Sequence, residues 1–224
     1  MARECTFALA MAAHPAYETA RPEVAALVPA GARRILDIGC STGALGAALK
    51  ARGGAEVVGI ERDPARAAAA AARLDRVVTA DLEGDVEDLG RFDCLIAADV
   101  LEHLIDPWTT LRAFAARLEP GGIAVVSLPN VRYWETFWQL GRRGTWPRRS
   151  EGIFDRTHLR WFTLHDAHML LIEAGLEPVR VERVFRVRPA RASGWDAVAR
   201  RVAPGVPGLR ALTTFQHLLV GRRG

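Results

Sequence analysis

The sequence predicts an α/β fold, a parallel sheet wound with helices, on three observations. Five short apolar runs lie between residues 33 and 128, helical patterns separate them, and a glycine-rich turn follows the first run directly. Residues 33–38 (RRILDI), 56–60 (EVVGI), 76–79 (RVVT), 92–98 (FDCLIAA) and 123–128 (IAVVSL) are the expected strands. Asp63 with Pro64, and Asp106 with Pro107, each supply an N-cap and a first-turn proline for the helix that follows. In the second of these helices Leu111, Phe114, Ala115 and Leu118 recur at i, i+3, i+4 and i+7 as one buried stripe, which stops before Pro120-Gly121-Gly122.

Beyond residue 130 the pattern changes. Residues 132–149 hold five arginines, one glutamate and five aromatics, three of them tryptophans, which is no sixth strand–helix repeat. Thr163 and Asp166 are spaced as a capping box for a helix over 163–174, and Gly175 is placed to end it. Residues 179–187 and 214–220 are expected as closing strands, with a Pro-, Arg- and Gly-rich loop over 188–213 between them. There is no internal repeat. The expectation is a single domain over 1–224 in which 131–162 is an inserted substrate lid.

Composition narrows the class. Of 224 residues half are hydrophobic and a quarter charged, which excludes disorder as the main state. No stretch approaches the roughly 18 uncharged apolar residues of a membrane span, and the first residues lack a basic region followed by an apolar run, so a cytoplasmic protein is expected. Cys5, Cys40 and Cys94 have no C-x-x-C spacing and read as reduced thiols rather than disulfides or zinc ligands. The net charge of +4 comes almost wholly from arginine, Lys50 being the only lysine, and no nucleic-acid module accompanies it.

The segment Asp37-Ile38-Gly39-Cys40-Ser41-Thr42-Gly43 is a strand end running through a glycine turn into a helix, the place where open parallel sheets bind ligands. A dinucleotide fingerprint starting at Gly39 would need glycines at 41 and 44, where Ser41 and Ala44 stand, so a nicotinamide cofactor is disfavoured. The segment resembles motif I, (D/E)-x-G-x-G-x-G, of the class I S-adenosylmethionine (SAM) methyltransferases, with Ser41 in place of the middle glycine. Glu61 then matches that family's acceptor for the ribose hydroxyls and Asp81 its acidic residue beside the adenine amine. Residues 92–104 and 118–122 resemble its fourth strand with the following loop and the lead-in to its fifth. The resemblance covers residues 30–187, and 215–222 fits the terminal antiparallel strand. It implies a Rossmann-like, seven-stranded, mostly parallel sheet with helices on both faces and SAM as cofactor. Asp37, Gly39, Cys40, Ser41, Gly43, Glu61, Arg62, Asp81, Leu82, Ala98 and Asp99 are the residues expected to hold it.

Methyl transfer requires a positioned nucleophile and, for an alcohol, a base. Asp99, Glu102 and His103 fall at i, i+3 and i+4. His103 is one candidate base. The three are also spaced to hold a divalent cation, as suggested for ubiquinone-pathway relatives with an E-x-x-E-H pattern, although no metal is expected here. The second group, Gly152 to Thr163, resembles the G-x-x-D-x-T-H-x-R-x-F-T stretch of a subgroup found near glycan and natural-product pathways. It offers His158 as the leading base, with Asp155 to orient it. Tyr17, Asn130, Arg132, Tyr133, Trp134, Arg156 and Arg160 are the candidate substrate contacts. The Arg/Trp segment has three open uses: a lid, a peripheral membrane contact, or a homodimer surface. The expected activity is O-methylation of a small-molecule hydroxyl on a sugar, glycan intermediate or natural product. The alternatives are methylation of a quinone or lipid-linked precursor at a membrane surface, and a non-catalytic SAM-binding partner.

Overall fold

The computed structural model describes residues 19–186, 201 and 205–224. Its strands are β1 (Arg34–Ile38), β2 (Glu56–Glu61), β3 (Arg76–Thr79), β4 (Phe92–Ala98), β5 (Leu118–Pro129), β6 (Leu176–Phe185) and β7 (Thr214–Arg223). They form one sheet in the order β3-β2-β1-β4-β5-β7-β6. The first five are parallel, and β7 runs antiparallel to both of its neighbours. Strand order reverses between β1 and β4, so the crevice of the sheet opens beyond their carboxyl ends.

The helices are α1 (Pro22–Ala25), α2 (Ala44–Gly53), α3 (Pro64–Ala71), α4 (Pro107–Ala115), α5 (Trp134–Phe137), α6 (Leu164–Glu173) and α7 (Pro207–Thr213). Side chains alternate across a strand, and the strands are apolar on both faces because helices cover both. Leu36, Ile38, Leu95, Ala97 and Val126 pack with Leu111 and Phe114 of α4 and Leu170 and Leu171 of α6. Ile35, Val57, Cys94, Ile96 and Val125 pack on the opposite face with Leu45 and Leu49 of α2 and Ala70 of α3. The caps form as the sequence predicts: Asp63 accepts from the Ala65 and Arg66 amides, Asp106 accepts from the Thr109 amide, and Thr163 with Asp166 closes a capping box.

Three boundaries differ from expectation. β5 starts at Leu118, five residues early, because the chain pairs Leu118 with Phe92 and takes up the Pro-Gly-Gly turn as a register irregularity rather than a strand end. β6 starts at Leu176 and includes Pro178, tolerated because β6 is an edge strand whose missing amide need not enter a ladder. The end of the expected 188–213 loop is helix α7; residues 187–200 and 202–204 lie outside the described residues.

Candidate active site

The glycine turn is shaped by what lies beneath it. Gly39 has φ +72, and a Cβ there would stand 2.6 Å from Val100 Cγ2, so the backbone passes directly over a residue two positions beyond the end of β4. Ser41 also takes a positive φ of 50, and Gly43 at φ +77 packs against Ala70 of α3. Cys40 turns its thiol into the core against Gly59, leaving only its backbone to the crevice. Asp37 is fully buried under the turn. Burial, helped by the charge of Glu61, raises its carboxyl to about 7.

Glu61 ends β2 and faces this turn. Its carboxylate accepts the Ser41 amide at 3.0 Å and the Asp63 amide at 2.9 Å, which fixes one acceptor group beside the glycine backbone. Asp81 lies one strand further along, exposed, 3.8 Å from the Arg62 guanidinium, and Leu82 beside it packs on the core. Carboxylates therefore stand at the ends of β1, β2 and β3 in succession, as the sequence predicts.

At the end of β4 the chain does not become one helical face. Asp99 takes φ +54, and only Leu101–His103 forms a single 3-10 turn. The three residues spaced i, i+3 and i+4 therefore part company. Asp99 turns toward β5 and β7: it pairs with Arg21, accepts from Ser127 Oγ at 2.9 Å, and accepts from Gln216 Nε2. Glu102 turns inward and is fully buried. Neither oxygen has a hydrogen-bond partner, and burial together with the Asp99 charge holds its carboxyl well above the usual range.

The two candidate histidines meet edge to face, ring centroids 4.7 Å apart, and their surroundings differ. His158 is buried, with Nδ1 on the Ile153 carbonyl at 3.3 Å and Nε2 3.8 Å from Glu102. Burial and the neighbouring His103 lower its pKa to about 4. Asp155 engages Thr157 rather than His158, accepting its amide at 2.8 Å and its hydroxyl at 2.6 Å. The Thr157 hydroxyl lies 3.0 Å from His103 Nδ1. Because the single hydroxyl proton goes to the Asp155 carboxylate, Thr157 accepts from His103 Nδ1–H, which leaves the Nε2 lone pair. Among the described residues that nitrogen has no hydrogen-bond partner. Desolvation lowers the pKa of His103 as well. Glu102, His103 and His158 also bring one potential ligand atom each within 4.8 Å of one another. A cation there would require the buried Glu102 to ionise.

Of the candidate substrate contacts, Arg132 and Arg156 are exposed. Arg160 donates from Nε to the Ile105 carbonyl at 3.0 Å. Asn130 is buried and joins two segments, donating to the Ala211 and Thr214 carbonyls and accepting the Arg132 amide. Tyr133 is fully buried against Phe215 and Trp134. Tyr17 lies outside the described residues. Sequence reasoning missed Arg21, Ser127 and Gln216, and gave Thr157, part of the quoted motif, no role of its own. The only signal for Ser127 and Gln216 was a polar residue inside an otherwise apolar strand.

A doubly wound sheet with a bare-backbone turn after its first strand and carboxylates at successive strand ends defines a nucleoside-binding α/β protein. Residues 12–181 match the methyltransferase domain family, and the chain belongs to it; the fold is that of the class I SAM-dependent methyltransferases. The chain is 38% identical over 117 residues to a ubiquinone biosynthesis O-methyltransferase of Bradyrhizobium diazoefficiens, covering 48% of this chain and 44% of that one. It is 33% identical over 165 residues to one of Cereibacter sphaeroides, covering 70% and 65%. The chain thus spans about half to two thirds of the length of these curated relatives. Among solved structures, a SAM-dependent methyltransferase from Archaeoglobus fulgidus superposes with a TM-score of 0.63 at 18% identity, covering 92% of this chain and 95% of that one. Magnesium protoporphyrin IX methyltransferase from Synechocystis with bound SAH superposes with a TM-score of 0.61 at 17% identity, covering 93% and 83%. Among the described residues no helix is long and apolar enough to cross a membrane.

The residues present fit SAM: Glu61, fixed beside the glycine turn by the Ser41 and Asp63 amides, keeps acceptor capacity for a diol beyond those two bonds.

Proposed function

We propose that the protein transfers the methyl group of SAM to a hydroxyl of a small-molecule acceptor. When bound, SAM supplies an electron-poor sulfonium methyl. The chain's own residues do the rest. Glu61 accepts from the ribose hydroxyls and Asp81 from the adenine amine, while the glycine turn lets the backbone approach the thioether end. The observation that carries the O-methyl assignment is the Asp155–Thr157–His103 chain. It holds one imidazole in a single tautomer with Nε2 ready to take a proton from an acceptor hydroxyl. His158 stands behind that ring and supports it edge-on.

The acceptor reading is a sugar, glycan or natural-product hydroxyl, with segment 131–162 as its cover. One observation favours a second reading, a quinone or lipid-linked acceptor taken from a membrane surface. Phe137 and Trp138, each about half exposed, line a groove of about 480 Å³ with Trp134, Arg142 and Leu212, and Leu140 on the same segment is also about half exposed. Curated relatives named for ubiquinone biosynthesis support the same direction.

The test is incubation of the protein with methyl-labelled SAM and fractionated extract from cells lacking it. Label in a methyl ether supports O-methylation, and its appearance in the lipid or the aqueous fraction decides between the two acceptors. Label in no product overturns the catalytic reading and leaves a SAM-binding partner protein.

A further inference from the structure

The carboxylate of Glu83 spans two loops at the carboxyl edge of the sheet. Glu83 lies in the turn after β3 that Asp81 opens: Asp81 Oδ1 accepts the Glu83 amide and the Asp81 carbonyl accepts the Gly84 amide, both at 3.1 Å. From there the Glu83 side chain reaches the segment that follows β4. Its Oε2 accepts the Ile105 amide at 3.0 Å and its Oε1 the Asp106 amide at 2.6 Å, so each oxygen holds one of two consecutive amides.

That segment carries His103. Leu101 and Leu104 are buried, but beyond Leu104 the chain leaves the core, and the Ile105 side chain is 68% exposed, so backbone bonds rather than packing hold this residue. Its other side is held too. The Ile105 carbonyl accepts from the Arg160 guanidinium, and the Glu102 carbonyl accepts the Leu159 and Arg160 amides at 2.9 and 3.0 Å. Residues 102–106 therefore bridge the turn of Asp81 and the loop of Thr157, with the His103 imidazole between them. The 3.0 Å contact of His103 Nδ1 with the Thr157 hydroxyl survives a displacement of no more than about half an ångström. Helix capping does not account for the bridge. In a capping box the N-cap amide is held by the third residue of the same helix, whereas here Asp106 already caps α4 through the Thr109 amide and its own amide is taken by a residue from another loop.

We propose that Glu83 is a positioning residue: it ties the segment carrying His103 to the turn carrying Asp81, so that the base and the adenine end of the cofactor are placed as one unit. Glu83 acts through the two amides and not on cofactor or acceptor itself. The inference rests on the reading of His103 as the base and of Asp81 as the adenine partner.

The test is nitrogen NMR of the histidine rings in labelled protein, at a pH where they are neutral, with His103 assigned by its loss in His103→Gln, together with calorimetric titration of SAH. The wild type should show His103 as the single Nδ1–H tautomer. Glu83→Ala keeps the backbone amide that Asp81 holds, so SAH affinity should stay within about twofold of wild type while His103 becomes a mixture of tautomers. Asp106→Ala is the control, since it removes the cap of α4 and leaves the Glu83 bridge: it should lower Tm and keep the single tautomer. A single tautomer in Glu83→Ala would make Glu83 no more than a second cap, and mixing in Asp106→Ala as well would assign His103 to the helix start in general; either result overturns the proposal. So does a fall in SAH affinity as large as that of Glu61→Ala, which would put Glu83 in the cofactor turn. If Glu83→Ala does not fold, Glu83→Gln, with one accepting oxygen left, is read instead: mixed tautomers support the bridge and a single tautomer refutes it. Mixed tautomers already in the wild type would overturn the reading of His103 on which the inference rests, and a wild type that does not bind SAH would overturn the cofactor reading.

Discussion

Substituting alanine at Gly39 tests the close approach on which the site is built. The new methyl group would lie 2.6 Å from Val100 Cγ2 and 2.9 Å from Val100 Cβ, about an ångström inside the optimal carbon–carbon separation. Val100 is packed against the core and cannot simply swing away. Overpacking of this kind costs about 1–3 kcal/mol, and the φ of +72 adds about 1–2 kcal/mol for a residue with a Cβ. Gly54 is the control, because it has a similar φ of +66 but nothing within 4 Å of the added methyl group. Gly54→Ala therefore carries the backbone cost alone, offset by roughly 0.4–1 kcal/mol from the stiffer unfolded chain. For a chain of this size 1 kcal/mol moves Tm by about 2–4 °C, so Gly39→Ala should melt about 2–12 °C below Gly54→Ala in calorimetry without ligand. SAH affinity should fall with it, whereas Gly54→Ala leaves affinity unchanged. Adding Val100→Ala to Gly39→Ala should recover part of the gap. Equal melting temperatures for the two single variants would refute the account of the turn.

Four further outcomes are expected. Glu61→Ala should weaken SAH by roughly 1.5–3 kcal/mol and loosen the turn, since the same carboxylate holds the Ser41 and Asp63 amides; unchanged affinity in titration calorimetry would place Glu61 outside the site. His103→Ala should lower turnover by about 10²–10⁴ with SAH affinity near wild type, and His158→Ala by less; the reverse order in steady-state kinetics would return the base to His158. Turnover should survive EDTA, because burial disfavours the ionised Glu102 that a cation would need; loss restored by magnesium would assign a cation to Glu102, His103 and His158. His217, buried on β7 and lowered to about 4 by desolvation and then by Arg183, is neutral when folded but takes up a proton near pH 6.5 when unfolded. Its contribution to stability is present above about pH 6.5 and lost as pH falls toward 4, so His217→Gln should flatten that limb of a Tm-against-pH series; an unchanged slope would refute it.

The sequence alone determined the first five strands and the glycine turn with the carboxylates that follow them. Apolar runs, proline-started helices, the glycine turn and the carboxylates after β1, β2 and β3 are local signals, each readable within a few residues of the position it controls. The acceptor side was not legible in the same way. Spacing put Asp99, Glu102 and His103 on one helical face, but the positive φ of Asp99 and the short 3-10 turn sent Asp99 toward β5 and β7 and left Glu102 and His103 beside His158. Proximity in sequence suggested Asp155 as the partner of His158, yet Thr157 stood between and carried the carboxylate to His103, 54 residues away. Asn130 and Tyr133 read in the sequence as candidate ligand contacts, and their burial and the segments they join became visible only in the structure. Arg21, Ser127 and Gln216 came together at Asp99 from the start, middle and end of the chain. Pairings of that range depend on which strand ends the topology places side by side, and β7 inserting between β5 and β6 is a tertiary decision that no local pattern encodes.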